Sequence, residues 1–230
     1  KSMKKDFTFL KKFPFLLPLA WLIRILKFGK ELYRNNHKKL TGALKTGNRR
    51  IELMKKYKII YADPPWSYRS GKVQGAARNH YETMKDEELY HLPVQNLADK
   101  NCVLFLWCTF PKLPEALKLI EAWGFTFKTV GFVWIKQNKS GKGYFLGLGW
   151  WTRSNAEICL IAVKGKPKRK SASVRQLLFS PVEEHSKKPD EARDKIIELM
   201  GDLPRIELFA RRETPGWDVW GNEVASTIVF

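Results

Sequence analysis

The chain has 230 residues, 44% hydrophobic and 28% charged, which is enough apolar material for one sizeable domain and too much for wholesale disorder. Its 42 Lys and Arg against 23 Asp and Glu leave a formal net charge of +19, a balance that points to a polyanionic partner and says little about fold. Three cysteines without C-x-x-C spacing exclude a disulfide scaffold and a structural zinc site, so the expectations are no metal and a reducing, cytoplasmic setting.

The basic excess is concentrated at the start. Residues 1–58 hold 17 Lys and Arg against three acids, and residues 59–230 hold 25 against 20. Residues 1–57 therefore read as a basic helical N-terminal extension and linker, and residues 58–230 as the main domain. The longest apolar run of the extension, Phe13 to Ile23, is 11 residues, interrupted by Pro14 and Pro18 and closed by Arg24. A spanning helix needs about 20 such residues, so no transmembrane segment is expected. No small-residue cleavage site follows the run, which argues against a signal peptide. From Leu19 to about Leu44 the spacing is helical, with Leu19, Leu22, Ile23, Leu26 and Tyr33 near one face and Arg24, Lys27, Arg34 and Lys38 off it. Such a helix can dock on the body, serve as an arm on nucleic acid, lie on a membrane surface, or meet a protein partner or second copy. Gly42 and Gly47 mark the linker.

In the main domain strands and helices alternate. Lys58–Ala62 is a short β-branched run, and Cys102–Cys108 is a continuous apolar run typical of a buried parallel strand. Pro114–Trp123 is helical and stopped by Gly124; Val130–Ile135 and Glu157–Val163 are strands. Asp190–Met200 is a helix opened by Pro189 and closed by Gly201, and Arg205–Ala210 is the next strand. This order predicts an α/β fold of Rossmann type with a mostly parallel sheet and ligands at the carboxyl ends of the strands. Lys164–Lys170 (KGKPKRK) is a short basic loop.

Directly after the first strand stands Asp63-Pro64-Pro65-Trp66. The prolines fix φ, carry no N–H and push the preceding residue into an extended conformation. The expected result is a rigid elbow with carbonyl acceptors free of competing donors, an acceptor carboxylate on Asp63 and a flat wall in Trp66. Two acceptors and an aromatic wall suit a planar exocyclic amine, such as the adenine 6-amino group. Its lone pair becomes nucleophilic once hydrogen bonds to Asp63 and the Pro64 carbonyl draw the nitrogen toward tetrahedral geometry. A plain surface turn is the alternative, although average composition gives Asp-Pro-Pro-aromatic by chance in fewer than about 1% of chains this long.

From this tetrapeptide onward the chain resembles the N6-adenine methyltransferases of the DPPW class, whose eukaryotic members methylate mRNA adenosines. The resemblance covers residues 58–224. It runs through Tyr81-Glu82-Thr83-Met84, Leu104-Phe105-Leu106-Trp107, Trp134-Ile135-Lys136 and Glu157-Ile158-Cys159-Leu160, then His185 to Asp190, Ile206 to Arg211 and Trp217 to Glu223. It implies S-adenosylmethionine as methyl donor, with Asp63 beside the donor as well as catalytic. Lys188 would hold the donor's carboxylate with Ser186 beside it, and Arg211 would lie near the ribose. Asn222 and Glu223 would lie near the donor's adenine. Tyr81, Trp151 and Glu157 match positions around the target base; Glu157 reads equally as a structural acid at a strand start, and Trp151 as a core aromatic.

Two departures stand out. Residues 44–50 (LKTGNRR) lack the acid that the mRNA enzymes place before the catalytic loop, and Arg212-Glu213-Thr214 replaces their Pro-His-Asn run. The insert Tyr68–Asn79, rich in glycine and bearing Arg69, Lys72 and Arg78, reads as a lid over the target strand or as a solvated loop. The body without a zinc-finger region looks like the bacterial or phage branch, so DNA is expected ahead of RNA. Two alternatives stay open: a catalytically silent family member acting as a nucleic-acid-binding partner subunit, and an enzyme for another base's amine.

Overall fold

The structure, a computed structural model, describes residues 56–68, 83–149, 151–184 and 186–230. The helix expected over 19–44, its linker, the insert beyond Tyr68 and Tyr81 lie outside the described residues.

In chain order the elements are β1 (Tyr57–Ala62), α1 (Asp86–Tyr90), β2 (Ala98–Cys108), α2 (Leu113–Ala122), β3 (Thr126–Gln137), β4 (Ala156–Lys164), β5 (Leu177–Pro181), α3 (Glu191–Met200), β6 (Arg205–Leu208) and β7 (Asp218–Trp220). Among the described residues they make one seven-stranded sheet in the order β5-β3-β4-β2-β1-β6-β7, with three α-helices. The α/β expectation holds, but the sheet is mixed. β1 is parallel to β2 and β6, β6 to β7 and β3 to β5, whereas β4 runs antiparallel to both β2 and β3. A parallel neighbour requires a crossover, usually a helix. The connection between β3 and β4 contains none among the described residues, so β4 returns against its neighbours. β2, expected as a parallel strand, is parallel on one side only.

The period-2 geometry of the central strands explains their unbroken apolar sequence. Ile60, Ala62, Leu104, Leu106 and Cys108 pack with Ala116, Leu119, Ile120 and Trp123 from α2 and its C-cap. The alternate residues Ile59, Tyr61, Val103, Phe105 and Trp107 pack on the other face with Ala192, Ile196 and Met200 of α3. All three cysteines are buried, and burial pushes the Cys102 and Cys108 thiols up to about 12. Both helix stops read from the sequence take left-handed backbone, Gly124 at φ 75° and Gly201 at φ 88°. No helix among the described residues is long and apolar enough to cross a membrane.

The carboxyl ends of β1, β2, β6 and β7 share one edge of the sheet. Because β4 is reversed, its first residues arrive at that same edge.

Candidate active site

Asp63 follows the last residue of β1, and its Oδ2 accepts a hydrogen bond from Lys188 Nζ at 2.7 Å. Lys188 stands in the turn before α3, with a side chain only 8% exposed. Its ammonium also lies 3.3 Å from Glu157 Oε2, donates to the Ser186 carbonyl at 3.2 Å and sits 5.9 Å above the Trp107 ring. The other Glu157 oxygen accepts from Lys136 Nζ at 2.5 Å, and Lys136 lies 4.9 Å over the Trp134 ring. Asp63, Lys188, Glu157 and Lys136 thus form a row of alternating charge, drawn from four separate parts of the sheet edge.

Burial sets the electrostatics of the row. It drives the Asp63 carboxyl above the usual carboxylate range, against the pull of Lys188. Glu157 suffers the same burial, but Lys188 and Lys136 outweigh it and hold this carboxyl below its ordinary value. Burial alone would lower Lys188, yet Asp63 and Glu157 raise it above the ordinary lysine range, so it stays charged. Asp63 is the member of the row that takes up a proton most readily.

The proline elbow differs from expectation in two respects. The Pro64 carbonyl accepts the Trp66 N–H at 2.8 Å, and the Pro65 carbonyl accepts the Met84 N–H at 2.9 Å. Proline removes its own donor, but the N–H two residues on folds back to the first carbonyl. Each oxygen keeps a second lone pair. Trp66, expected as a wall, is 4% exposed, belongs to the core and donates from Nε1 to the Trp107 carbonyl at 3.1 Å. It braces the elbow from behind.

Two cavities flank Asp63. One, about 320 Å³, is lined by charged groups: Asp63, Glu184, Lys187, Lys188, Arg193, Glu207, Arg211, Arg212 and Glu223, with Tyr61, Ser186 and Phe209. The other, about 360 Å³, is lined by Asp63, Pro64, Pro65, Met84, Phe209, Trp220, Asn222 and Glu223, among others. They share Asp63, Ser186, Phe209, Arg211 and Glu223. Ser186 and Phe209, both on the shared wall, are non-glycine residues at φ 61°, a costly conformation that clusters at functional sites. Gly221 must be glycine, because a Cβ there would stand 2.1 Å from the Ala210 carbonyl oxygen.

Of the residues expected around a donor, Asp63, Ser186, Arg211 and Glu223 line both cavities, Lys188 the charged one and Asn222 the other. Arg211 Nε pairs with Glu223 Oε1 at 3.0 Å. Glu157 is within the ion row. Trp151 is 93% exposed in the connection between β3 and β4, so its core reading is overturned. Sequence reasoning missed the floor of the charged cavity, where Arg193 grips Glu207 through Nε at 2.8 Å and Nη2 at 2.6 Å and stacks 5.4 Å from the Tyr61 ring. The available signal was an acid inside the apolar run Ile206-Glu207-Leu208. Phe209 gave none, since its importance lies in backbone angle.

An amino-acid moiety needs a cation for its carboxylate and an acid for its ammonium, and the charged cavity offers both. The less polar cavity, with proline and tryptophan walls and the Asn222 amide, suits a planar heterocycle. The pair fits a molecule that joins those two halves.

The pattern of the MT-A70 family matches residues 57–223. Over 191 residues the chain is 38% identical to the Type II methyltransferase M.MunI of a Mycoplasma species, covering 74% of this chain and 78% of that protein. It is 30% identical over 182 residues to a putative N(6)-adenosine-methyltransferase MT-A70-like protein of Medicago truncatula, covering 77% of this chain and 28% of that one. It is 28% identical over 178 residues to the N(6)-adenosine-methyltransferase catalytic subunit METTL3 of Homo sapiens, covering 76% of this chain and 29% of the human protein.

Proposed function

The chain belongs to the MT-A70 family of N6-adenine methyltransferases, and from that premise we propose that it methylates the 6-amino group of adenine in nucleic acid, DNA ahead of RNA, with S-adenosylmethionine as donor. The observation that carries this reading is the Asp63 carboxylate at the carboxyl end of β1, common to both cavities and paired with Lys188 at 2.7 Å. The preference for DNA is supported by M.MunI, which is matched over 78% of its length, against little more than a quarter of the adenosine methyltransferases.

The mixed sheet serves as a Rossmann-like donor platform, its cavities lying where strands end. Bound S-adenosylmethionine supplies an electrophilic methyl whose bond to sulfur breaks as a bond to the amine nitrogen forms. Lys188 would hold the donor's carboxylate, and Glu207 and Asp63 would offer acceptors to its ammonium. Arg211, Asn222 and Glu223 bound the nucleoside part.

Asp63 accepts one amine hydrogen and the second lone pair of the Pro64 carbonyl accepts the other, which localises the nitrogen lone pair toward the methyl. As positive charge develops on that nitrogen the ionised Asp63 stabilises it, an electrostatic contribution realised mainly in the transition state. The proton then leaves through Asp63 to solvent. Trp151, exposed in the connection that leads into β4, would offer a stacking face to an extruded base, and Glu157 an acceptor at the start of that strand. Tyr81, outside the described residues, is assigned to the target base by the resemblance alone.

The test is incubation of the full chain with isotopically labelled donor and matched single-stranded and duplex DNA and RNA, followed by nucleoside analysis. N6-methyladenine in DNA at a higher rate than in RNA is expected. Label in cytosine, or none with either polymer, would overturn the reading.

A further inference from the structure

The basic loop Lys164–Lys170 lies at the sheet edge opposite the active site. Glu157, the second residue of β4, stands at the catalytic edge and Lys164 ends the strand seven residues on, which puts the two edges about 23 Å apart at about 3.3 Å per residue. At this far edge the topology collects cations from neighbouring strands. Lys58 is the second residue of β1, Lys100 the third of β2 and Lys128 the third of β3, all exposed, and β4 between them delivers the loop itself.

The loop is built rather than loose. Gly165, at φ 68°, comes so close to Lys100 that a Cβ would stand 2.1 Å from its carbonyl oxygen. The Lys166 N–H donates to Asn101 Oδ1 at 2.8 Å, and the Lys170 and Ser171 N–H groups cap α3 through the Leu199 carbonyl at 2.7 and 3.3 Å. Between these pins Lys166, Lys168 and Arg169 are exposed. Of the acids near the loop, Asp202 is paired with Arg205, and Asp99 accepts the Asn101 N–H. No ion pair among the described residues involves Lys58, Lys100, Lys128, Lys166, Lys168 or Arg169. Holding like charges together costs the fold free energy, and that cost is recovered when a polyanion neutralises them.

We infer that this edge is a second nucleic-acid surface, one that grips the phosphate backbone away from the base being modified. It rests on the proposed function only for the class of polyanion. It reads no sequence, because isolated Lys and Arg contacts to phosphate position without specifying. Its effect is to hold the enzyme on long polymer between methylation events, through a segment that the catalytic edge does not touch.

The test is the triple variant Lys166→Gln/Lys168→Gln/Arg169→Gln in the full chain, with binding to a 40-base-pair mixed-sequence duplex followed against salt. Loss of three phosphate contacts flattens the slope of log K against log salt by about 2.7. Between 50 and 200 mM salt the parent should therefore lose about 40-fold more affinity than the variant. An unchanged melting temperature checks the fold. An unchanged slope overturns the inference. So does a variant that instead loses sedimentation with phosphatidylserine vesicles, which would assign the edge to a lipid surface. Labelled-donor assays on the parent separate the two readings: methyl transfer with an unchanged slope sinks only this surface, and a changed slope without methyl transfer sinks only the catalytic proposal.

Discussion

The Lys188 ammonium meets the Asp63 carboxylate at 2.7 Å across 125 residues of sequence. This contact joins the end of β1 to the start of α3 and so fixes both walls of the charged cavity. It also gives Asp63 a partner that remains cationic, while burial keeps the carboxyl easy to protonate. Most of what can be tested about the site follows from that pair.

Replacing Asp63→Asn keeps the shape of the elbow and leaves Lys188 paired with Glu157. The lost contact is one that strengthens as charge develops, so kcat should fall by about 3–4 kcal/mol, on the order of 100- to 1,000-fold. Nucleic-acid affinity, dominated by phosphate contacts, should change little. Single-turnover methyl transfer alongside fluorescence anisotropy checks both; near-parent turnover by a folded, donor-bound variant would falsify the catalytic role of Asp63.

The pH dependence has a definite sign. Asp63 must be ionised to accept the amine hydrogen, and its folded-state value is raised, so the rate should begin to fall with acid above the ordinary carboxylate range near about 4. Lys188 is shifted upward and stays charged, so it sets no alkaline limb near neutrality. Glu157 is shifted downward; its contribution to stability is present above its unfolded value and is lost only as pH falls through the lower folded one. Acidification should thus extinguish turnover before it melts the protein. Parallel pH–rate and circular dichroism titrations decide, and coincident midpoints would count against the assignment.

Lys188→Ala removes the cation between two desolvated carboxylates. Breaking a buried pair costs roughly 3–5 kcal/mol, and the low end, about 3 kcal/mol, is expected because Glu157 retains Lys136 and Asp63 is partly exposed. Binding of S-adenosylhomocysteine should weaken as well, whereas Lys188→Arg should recover part of the stability. Denaturant melts and calorimetry measure the two effects. Parent-like values in both would reduce Lys188 to a surface charge.

Trp151→Ala makes the opposite kind of change. With 93% of the residue exposed, its removal should leave the melting temperature unmoved. Loss of a stacking face worth about 1–3 kcal/mol should raise KM for the nucleic acid by roughly 5- to 150-fold. A destabilised variant, or one with parent KM, would remove Trp151 from the target site.

The parts of this fold that were legible in the sequence are those written in local chemistry. Pro189 and Gly201 bracket α3, Gly124 stops α2, and the unbroken run ending at Cys108 marks a strand covered on both faces. Asp63 was legible because it follows a strand directly. The direction of β4 was not, since strand residues look alike whichever way they run. β5 and β7, of five and three residues, are too short to print a period. At the site, residue types were readable but not their partners: nothing local ties Lys188 to Glu157, or the Pro65 carbonyl to the Met84 N–H. The core reading of Trp151 and the wall reading of Trp66 failed for one reason: aromatic identity does not reveal which side of the chain faces solvent.

The reversal of β4 has an evolutionary consequence. Glu157 reaches the catalytic edge as part of a strand, so its place is set by ladder register, opposite Trp134 on β3 and one residue before the Ile158–Cys108 pair with β2. The preceding connection, which carries Trp151, can lengthen, shorten or change sequence without moving that acid. On the proposed function, chemistry and target reading would thereby be uncoupled within a single stretch of chain. On that reading, the loop could be rewritten for a new target while the ion row is inherited unchanged.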